Sequence, residues 1–476
     1  MQVELMKDIY QKAQRVIVWL GYTNAENASE VFSYLRVGEA YMYDHKNSIA
    51  RLDRLVRDRR INSLFSSQWF NRLWIVQELY QSARASCFWG DVQIDFTYIT
   101  AAHMRYNECP QWLDLCTRRS GLPLPLVKLL HLTQHLQCSD NRDRVYAFLA
   151  LIHKSGYQIK PDFTKSAEQV YRAAALADAA DWDIAQDGSP SLYNWFPFTL
   201  LGVDHPYGWD PLTSKASSWL PEWGEKLPVP IFQNIGPKFV AMPTAFFSER
   251  NLQSVVVEGC MFDNIDFVTE SDIPCTKLVD TLQYVSAFWN DHVELWRMLF
   301  PFDRDVLNYR FLGALCCAEI DWAELQKHGQ KRKKGDDVER KLVHVWKGAD
   351  TSNLSLAVAT GIQGMMSSLL DSEKRLPGSV WSGLPERSIP IYDELSTKWR
   401  TRRLFTTCKQ YIGLGPGASR AGDVIVNIAG ARLPAVLRPH DNYWFFVGYC
   451  YISGDHRTSL TNPGYGRSTS SSYDIR

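Results

Sequence analysis

Apolar positions in the first hundred residues follow two alternating periods. In VELMKDIYQKAQRV, Leu5, Met6, Ile9, Tyr10 and Ala13 fall on one stripe at helical spacing. VIVWLG, residues 16–21, follows as an unbroken apolar run closed by glycine, the pattern of a fully buried strand. NASEVFSYLRVGEAYMY predicts a second helix, capped by Asn27 or Ser29. After a polar, arginine-rich segment at 51–60 comes FNRLWIVQELYQSARASCFWG, residues 70–90, which predicts a helix running into the strand ASCFWG. Apolar strands separated by amphipathic helices predict an α/β domain with a parallel sheet over residues 1–110.

The pattern then changes. Residues 111–250 predict a helical, then irregular, middle region. CSDNRDRVYAFLALI offers Ser139 or Asp140 as a helix cap, and PDFTKSAEQVYRAAALADAA places Ser166 and Gln169 at capping-box spacing. SSWLPEW is extended, because proline disfavours helix in the residue before it. Residues 251–454 are mixed and then β-rich: LQSVVVEGCMFDNIDFV breaks into strand-like pieces, and turn signals recur at regular intervals from Arg402 to Gly454. Between them, 327–341 is a charge-rich, solvated stretch. The composition of residues 455–476 predicts a disordered tail.

Charge and cysteine usage narrow the function classes. Lys+Arg and Asp+Glu both number 52, so no net field draws the whole chain of 476 residues to nucleic acid. The basic run Lys331 to Lys334 has no interleaved aromatics and is expected to be solvated, so no nucleic-acid partner is expected. No apolar run approaches the roughly 20 residues that span a bilayer, and the N-terminal residues lack a signal-peptide pattern. The 10 cysteines form no C-x-x-C pair, and Cys316 and Cys317 are adjacent, which suits neither a disulfide nor a metal. A reduced, cytoplasmic protein without a metal site is expected.

Three motifs invite chemistry and are better explained without it. GLGPG, residues 413–417, has the glycines of a phosphate loop, but ASRAGDVIVNI follows it as a turn into a strand rather than a helix N-terminus, so GLGPG is expected to be a plain turn. His131 and His135 are four apart on a predicted helix, yet Leu132 stands where a zinc peptidase pair needs glutamate. Arg142 and Asp143 open a helix, where an ion pair and dipole complementation account for them. The helix over 73–83 is more informative. At about 100° per residue, Leu73, Val76, Leu79, Tyr80 and Ala83 form an apolar arc with Ile75 at its edge, while Trp74, Gln77, Glu78, Gln81 and Ser82 fall opposite. A carboxylate beside a tryptophan on that face either lines a pocket near the sheet edge, or Trp74 docks a neighbouring domain while Glu78 bonds to backbone. The pattern leaves both open.

Six segments, in order, resemble those of the heterokaryon incompatibility (HET) domain proteins of filamentous fungi. They are MKDIYQKAQRVIVWLG, FNRLWIVQELYQSA, DNRDRVYAFLALI, IKPDFTKSAEQVY, SSWLPEW and RRLFTTCKQYIGLGPGASRAGDVIVNIAGARLPAVLRP. Lys409 and Gln410 depart from the last pattern, which usually has a glycine there. Family members begin with a strand like Y.ALSY.WG and a segment like WIDA.CINQ, and neither occurs here. Relative to the family the chain is therefore expected to be N-terminally truncated, with an incomplete sheet. The resemblance implies a role in non-self recognition and programmed cell death signalling. It also implies a remote similarity to TIR domains, hence a flavodoxin-like sheet. Some TIR domains cleave NAD with the glutamate of a pattern like S.WC..EL. RLWIVQEL is similar, which carries the catalytic role onto Glu78 and a ring-stacking, cofactor-binding role onto Trp74, with Ile75 replacing the usual cysteine. NAD would then be substrate, with no further cofactor. The alternatives are a non-enzymatic protein that self-associates or binds protein partners, and an inactive truncated copy.

Overall fold

The computed structural model describes residues 2–22, 25–40, 60–103, 110, 112–117, 126–152, 159–184, 203–214, 216–223, 245–247, 254–276, 278–299, 314, 396, 399–428, 431, 433–453 and 471–476. They belong to two compact units: Met1–Tyr193 with Glu222–Lys226, and Asn194–Pro221 with Leu227–Arg476. The charge-rich stretch at 327–341 lies outside the described residues.

The first unit opens with α1 (Gln2–Lys12), β1 (Val16–Trp19) and α2 (Ala25–Ala40), then α3 (Arg60–Phe65) and a 3-10 turn at Gln68–Asn71. Next come α4 (Ile75–Gln81), β2 (Ala85–Trp89), β3 (Val92–Asp95) and α5 (Phe96–His103). The helices α6 (Leu113–Thr117), α7 (Leu126–Leu132), α8 (Asp143–Tyr146) and α9 (Ala167–Ile184) follow. β1 and β2 are parallel, with Val16 opposite Ala85 and Trp19 opposite Phe88, as the α/β pattern predicts. β3 corrects that pattern: it returns antiparallel to β2, giving a mixed sheet in the order β1-β2-β3. The cause is local. Only Gly90 and Asp91 separate Trp89 from its partner Val92, Gly90 takes φ +59°, and so short a link can close only an antiparallel hairpin.

β1 also departs from the reading of a fully buried strand. Val16 and Val18 face the core, while Ile17 is 68% and Trp19 46% exposed. The core of the unit is aromatic: Phe32 packs on Trp89, and Trp69, Phe70, Phe96 and Trp112 form edge and tilted contacts. At the head of α9, the Ser166 N–H donates to Gln169 Oε1 (2.9 Å) and the Gln169 N–H to Ser166 Oγ (3.2 Å), the capping box that the spacing predicts. α7 ends at Leu132, so His131 and His135 do not share a helix.

The second unit is built on β5 (Val255–Val268), preceded by the short β4 (Ala245–Phe247) and followed by α10 (Leu278–Leu299). Then come β6 (Arg402–Thr407), β7 (Ile412–Pro416), β8 (Val424–Ile428), β9 (Ala435–His440), β10 (Tyr443–Tyr449), β11 (Tyr451–Ser453) and β12 (Ser471–Ile475). Successive stretches of β5 pair with β4 and β12, with β8, and with β6. From β8 the ladder passes to β9 and β10, and the chain runs through Cys450 into β11. β11 pairs with β7 and β7 with β6, so the circuit returns to β5 and closes. Its interior holds Ile265, Phe405, Ile425, Val436, Val447 and Ile452.

Two expectations change here. GLGPG is not a plain turn: residues 412–416 are β7 itself. Ser471–Ile475, which composition assigns to a disordered tail, is β12, lying between β5 and β10. Tyr473 and Ile475 are buried from it, and the first stretch of β5 supplies the edge they need.

The segment 203–210 is clamped onto the barrel by three of its arginines. Asp204 pairs with Arg402, Arg403 lies 5.2 Å from the Tyr207 ring centre, and Arg438 lies 5.9 Å from that of Trp209. Trp209 in turn stacks on His205 at 3.7 Å. Among the described residues, no helix is long and apolar enough to cross a membrane, and no group of three His, Cys, Asp or Glu could hold a metal.

Candidate functional site

The site nominated by the sequence lies on α4. Its start is fixed by backbone: the Leu73 N–H donates to the Gln137 carbonyl (2.9 Å) and the Gln137 N–H to the Asn71 carbonyl (2.6 Å). Its end is closed by Ser82 Oγ donating to the Leu79 carbonyl (2.8 Å). Trp74 is the N-cap residue and makes no side-chain cap bond.

Burial around α4 corrects the division into an apolar and a polar arc. Ile75, Val76 and Leu79 are buried, as are Gln77 (1% exposed) and Ser82 from the supposed polar side, whereas Ala83 from the apolar arc is exposed. The helix has only seven residues and touches both α1 and α6, so its circumference is enclosed on more than one side. Gln77 is the anomaly: its amide oxygen and nitrogen are both buried without a hydrogen-bond partner.

Glu78 is half-buried and faces α1. Tyr10 of α1 and the positive charge of Arg72 both favour its ionised form. Burial pushes the Glu78 carboxyl above its ordinary value, against the opposing pull of Arg72 and Tyr10. Burial, with the charge of Glu78 behind it, raises Tyr10 to about 12. One turn on, Gln81 Nε2 donates to the Ala150 carbonyl (3.1 Å), and Gln11 of α1 donates to Gln81 Oε1 (2.6 Å).

Trp74 turns to a different partner. Its indole N–H donates to Asp143 Oδ2 (3.3 Å). Asp143 Oδ1 is buried and unpartnered, and burial raises this carboxyl too. Asp143 stands in the first turn of α8, as dipole complementation requires, and also anchors the indole. Its neighbour Arg142 forms the expected ion pair with Asp140 (2.6 Å) and reaches the carbonyls of Phe163 (2.5 Å) and Lys165 (3.0 Å). The Tyr146 hydroxyl donates to the Asp162 carbonyl (2.8 Å) and accepts from its N–H (3.0 Å). Three separated segments are thus joined around one helix.

Glu78 therefore lies at the contact with α1, under the influence of Tyr10 and Arg72, while Trp74 bonds to Asp143. Tyr10 is visible in the sequence only as a member of the α1 stripe, and Arg72 only as the residue before Leu73; neither signal names a site. Trp74→Phe keeps the ring packing but leaves both Asp143 oxygens unpaired. It is expected to destabilise the first unit by about 1–3 kcal/mol, read from denaturant unfolding.

Residues 1–78 match the family "Heterokaryon incompatibility protein (HET)", a match that ends on Glu78. Residues 385–463, which include β6 to β11, match the Het-6 beta-barrel domain. Together the two matches support a heterokaryon incompatibility family protein. The HET match covers α1 to the middle of α4, so the joint between Tyr10 and Glu78 lies inside it. The Het-6 match covers the strands that carry Arg402, Arg403 and Arg438. Comparison with curated proteins and with solved structures gives no match.

Proposed function

We propose that this heterokaryon incompatibility protein acts in non-self recognition and the programmed cell death that follows. It does so as a protein-binding signalling module, not through chemistry at Glu78. One observation carries this reading: Glu78 is half-buried in the contact between α1 and α4, with Tyr10 of α1 beside it, rather than open to a ligand. TIR-like cleavage of NAD, with NAD as substrate and no further cofactor, needs a carboxylate free beside the ribose to stabilise an oxocarbenium-like centre. The parallel pair β1–β2, joined through α2, α3 and α4, supports a flavodoxin-like ancestry for the sheet, while β3 departs from it. Free thiols at Cys87, Cys116, Cys138 and Cys450 suit a reducing, cytoplasmic setting.

Glu78→Gln tests this. An amide has nearly the shape of the carboxylate, so the fold is expected to persist. Neither the full chain nor the variant should consume NAD, and both should provoke the same incompatibility response when expressed in a fungal host. NAD loss by the parent chain that disappears in Glu78→Gln would overturn the proposal. The variant should also flatten the pH profile of stability. A raised carboxyl binds its proton more tightly in the folded state, so its contribution is complete below the ordinary carboxylate value. That contribution is lost as pH rises through the raised value, and an amide cannot titrate.

A further inference from the structure

The strand β12 sits in a slot of the barrel unit and is held there by its own short sequence. Ser471 to Ile475 pair antiparallel with Gly259 to Val255 of β5, and Ile475 lies beside Trp444 of β10. Alternate side chains enter the core: Tyr473 is 5% exposed and Ile475 0%, while Ser471 and Ser472 are open to solvent. The Tyr473 ring meets Trp444 edge-on at 5.3 Å, and the Arg476 guanidinium lies 4.3 Å from the Tyr443 ring centre. The Arg476 N–H donates to the Trp444 carbonyl (2.9 Å), and the Ser218 N–H donates to the Arg476 carbonyl (3.1 Å). The strand is nevertheless separable from the barrel. The circuit from β5 through β8, β9, β10, β11, β7 and β6 back to β5 is made without it. Residues 454–470 join it to β11, and a stretch of that length reaches up to about 60 Å when fully extended.

We propose that β12 is an exchangeable strand, and that two copies of this chain interlock by each laying its β12 in the other's slot between β5 and β10. A swapped pair keeps every contact that β12 makes in the closed chain, so exchange costs only the advantage of the tether and gains as concentration rises. The slot itself favours a second copy over a foreign peptide. With β12 gone, the first stretch of β5, the Trp444 carbonyl and the Ser218 N–H all need a partner. The occupant must also bring an aromatic against Trp444, an aliphatic two residues later and a cation over Tyr443. The β12 of another copy carries that pattern by identity, and the joining stretch is long enough to deliver it. A foreign segment would have to reproduce all of it.

This names a partner for the protein-binding role proposed above and rests on that role. It is read as a disulfide between copies, whereas that role is read as NAD turnover and host response, so the two fail separately. Ser472 lies directly opposite Glu258, and neither side chain is buried. Opposed residues of an antiparallel pair lie about 4.5–5.5 Å apart at Cα, within disulfide reach. Full chains carrying Glu258→Cys or Ser472→Cys, each with Cys260→Ser to remove a nearby thiol, are mixed at high concentration and then oxidised. Neither chain holds both new cysteines, so every 258–472 disulfide found by mass spectrometry joins two copies. The mixture is expected to give it, in a product of twice 54.6 kDa. Asp474→Cys in place of Ser472→Cys should give far less, because Asp474 lies opposite Val256. Both cysteines in one chain, oxidised while dilute, should lock β12 in place. That chain should stay at one mass in sedimentation equilibrium while the parent rises toward two. The proposal falls if the mixture yields no 258–472 disulfide, whether or not the double variant closes on itself. A labelled peptide SSYDIR that binds the parent chain while the mixture yields none would give the slot to a free segment instead, and would equally overturn exchange between copies. Should the double variant misfold, the mixture of single variants still decides.

Discussion

Replacing Arg402 with methionine is expected to cost the barrel unit about 3–5 kcal/mol, the range for an orphaned buried charge. The side chains of Arg402 and Asp204 are 3% and 4% exposed and pair directly, and Arg402 Nη1 also donates to the Tyr449 carbonyl (3.2 Å). Burial already lifts the Asp204 carboxyl to about 7, with Arg402 pulling the other way and Asp272 adding to the rise. Without the guanidinium, the carboxylate has no counter-charge in contact, and the carboxyl rises further. The loss should therefore depend on pH. A raised carboxyl keeps its proton in the folded state, so its contribution is complete below about 4, the ordinary value, and fades as pH climbs through the raised one. Arg402→Met should be least damaging in acid and most damaging at about pH 8. Adding Asp204→Asn removes the charge and should restore most of the loss at neutral pH, because replacing both members of a buried pair is far milder than removing one. Denaturant midpoints at two pH values measure all three. A loss equal at both values would show that Asp204 does not titrate there.

Much of this architecture is written locally. The α1 helix and the Ser166–Gln169 capping box depend on residues a few positions apart, and the structure contains both, while the strand-like pieces at 255–268 join into one continuous strand, β5. The broad plan, α/β first and β-rich last, follows from the same signals. What is illegible depends on surroundings. Helical phase states which residues of α4 share a direction, but not how many neighbours enclose the helix. By phase Gln77 belongs with the polar residues, yet it is buried. The pairing of Ser471–Ile475 with the first stretch of β5 joins opposite ends of a unit, and nothing in a serine-rich tail announces it. The Glu78 site is half legible. The carboxylate can be singled out, whereas Tyr10 comes from a helix that periodicity can only describe as amphipathic. The Trp74–Asp143 contact bridges segments 69 residues apart, beyond the reach of any local pattern.

Gly413→Ala is expected to cost about 3 kcal/mol, near the upper end for overpacking. Gly413 faces Phe405 directly across the β6–β7 ladder. A Cβ there would lie 2.5 Å from Phe405 Cε2 and 2.7 Å from Cε1, and closer still to Cζ. The ring cannot yield, because Phe405 is fully buried among Ile265, Ile425, Val436, Val447 and Ile452. An aromatic laid over a glycine in the facing strand is a pairing in which the missing side chain is what makes the contact possible. The reciprocal change follows: Phe405→Leu in the Gly413→Ala background should relieve the overlap and recover more than half of the loss, although Phe405→Leu alone is itself destabilising. Gly422→Ala separates crowding from backbone strain. Gly422 has φ +88° with nothing within 4 Å of the place a methyl group would take, so only the left-handed conformation opposes alanine, at about 1–2 kcal/mol. If Gly413→Ala and Gly422→Ala lose the same stability, steric overlap with Phe405 is not what fixes Gly413. A larger loss at Gly413, repaired by Phe405→Leu, would mean that a glycine spacing like that of a phosphate loop arises here from strand packing inside a barrel.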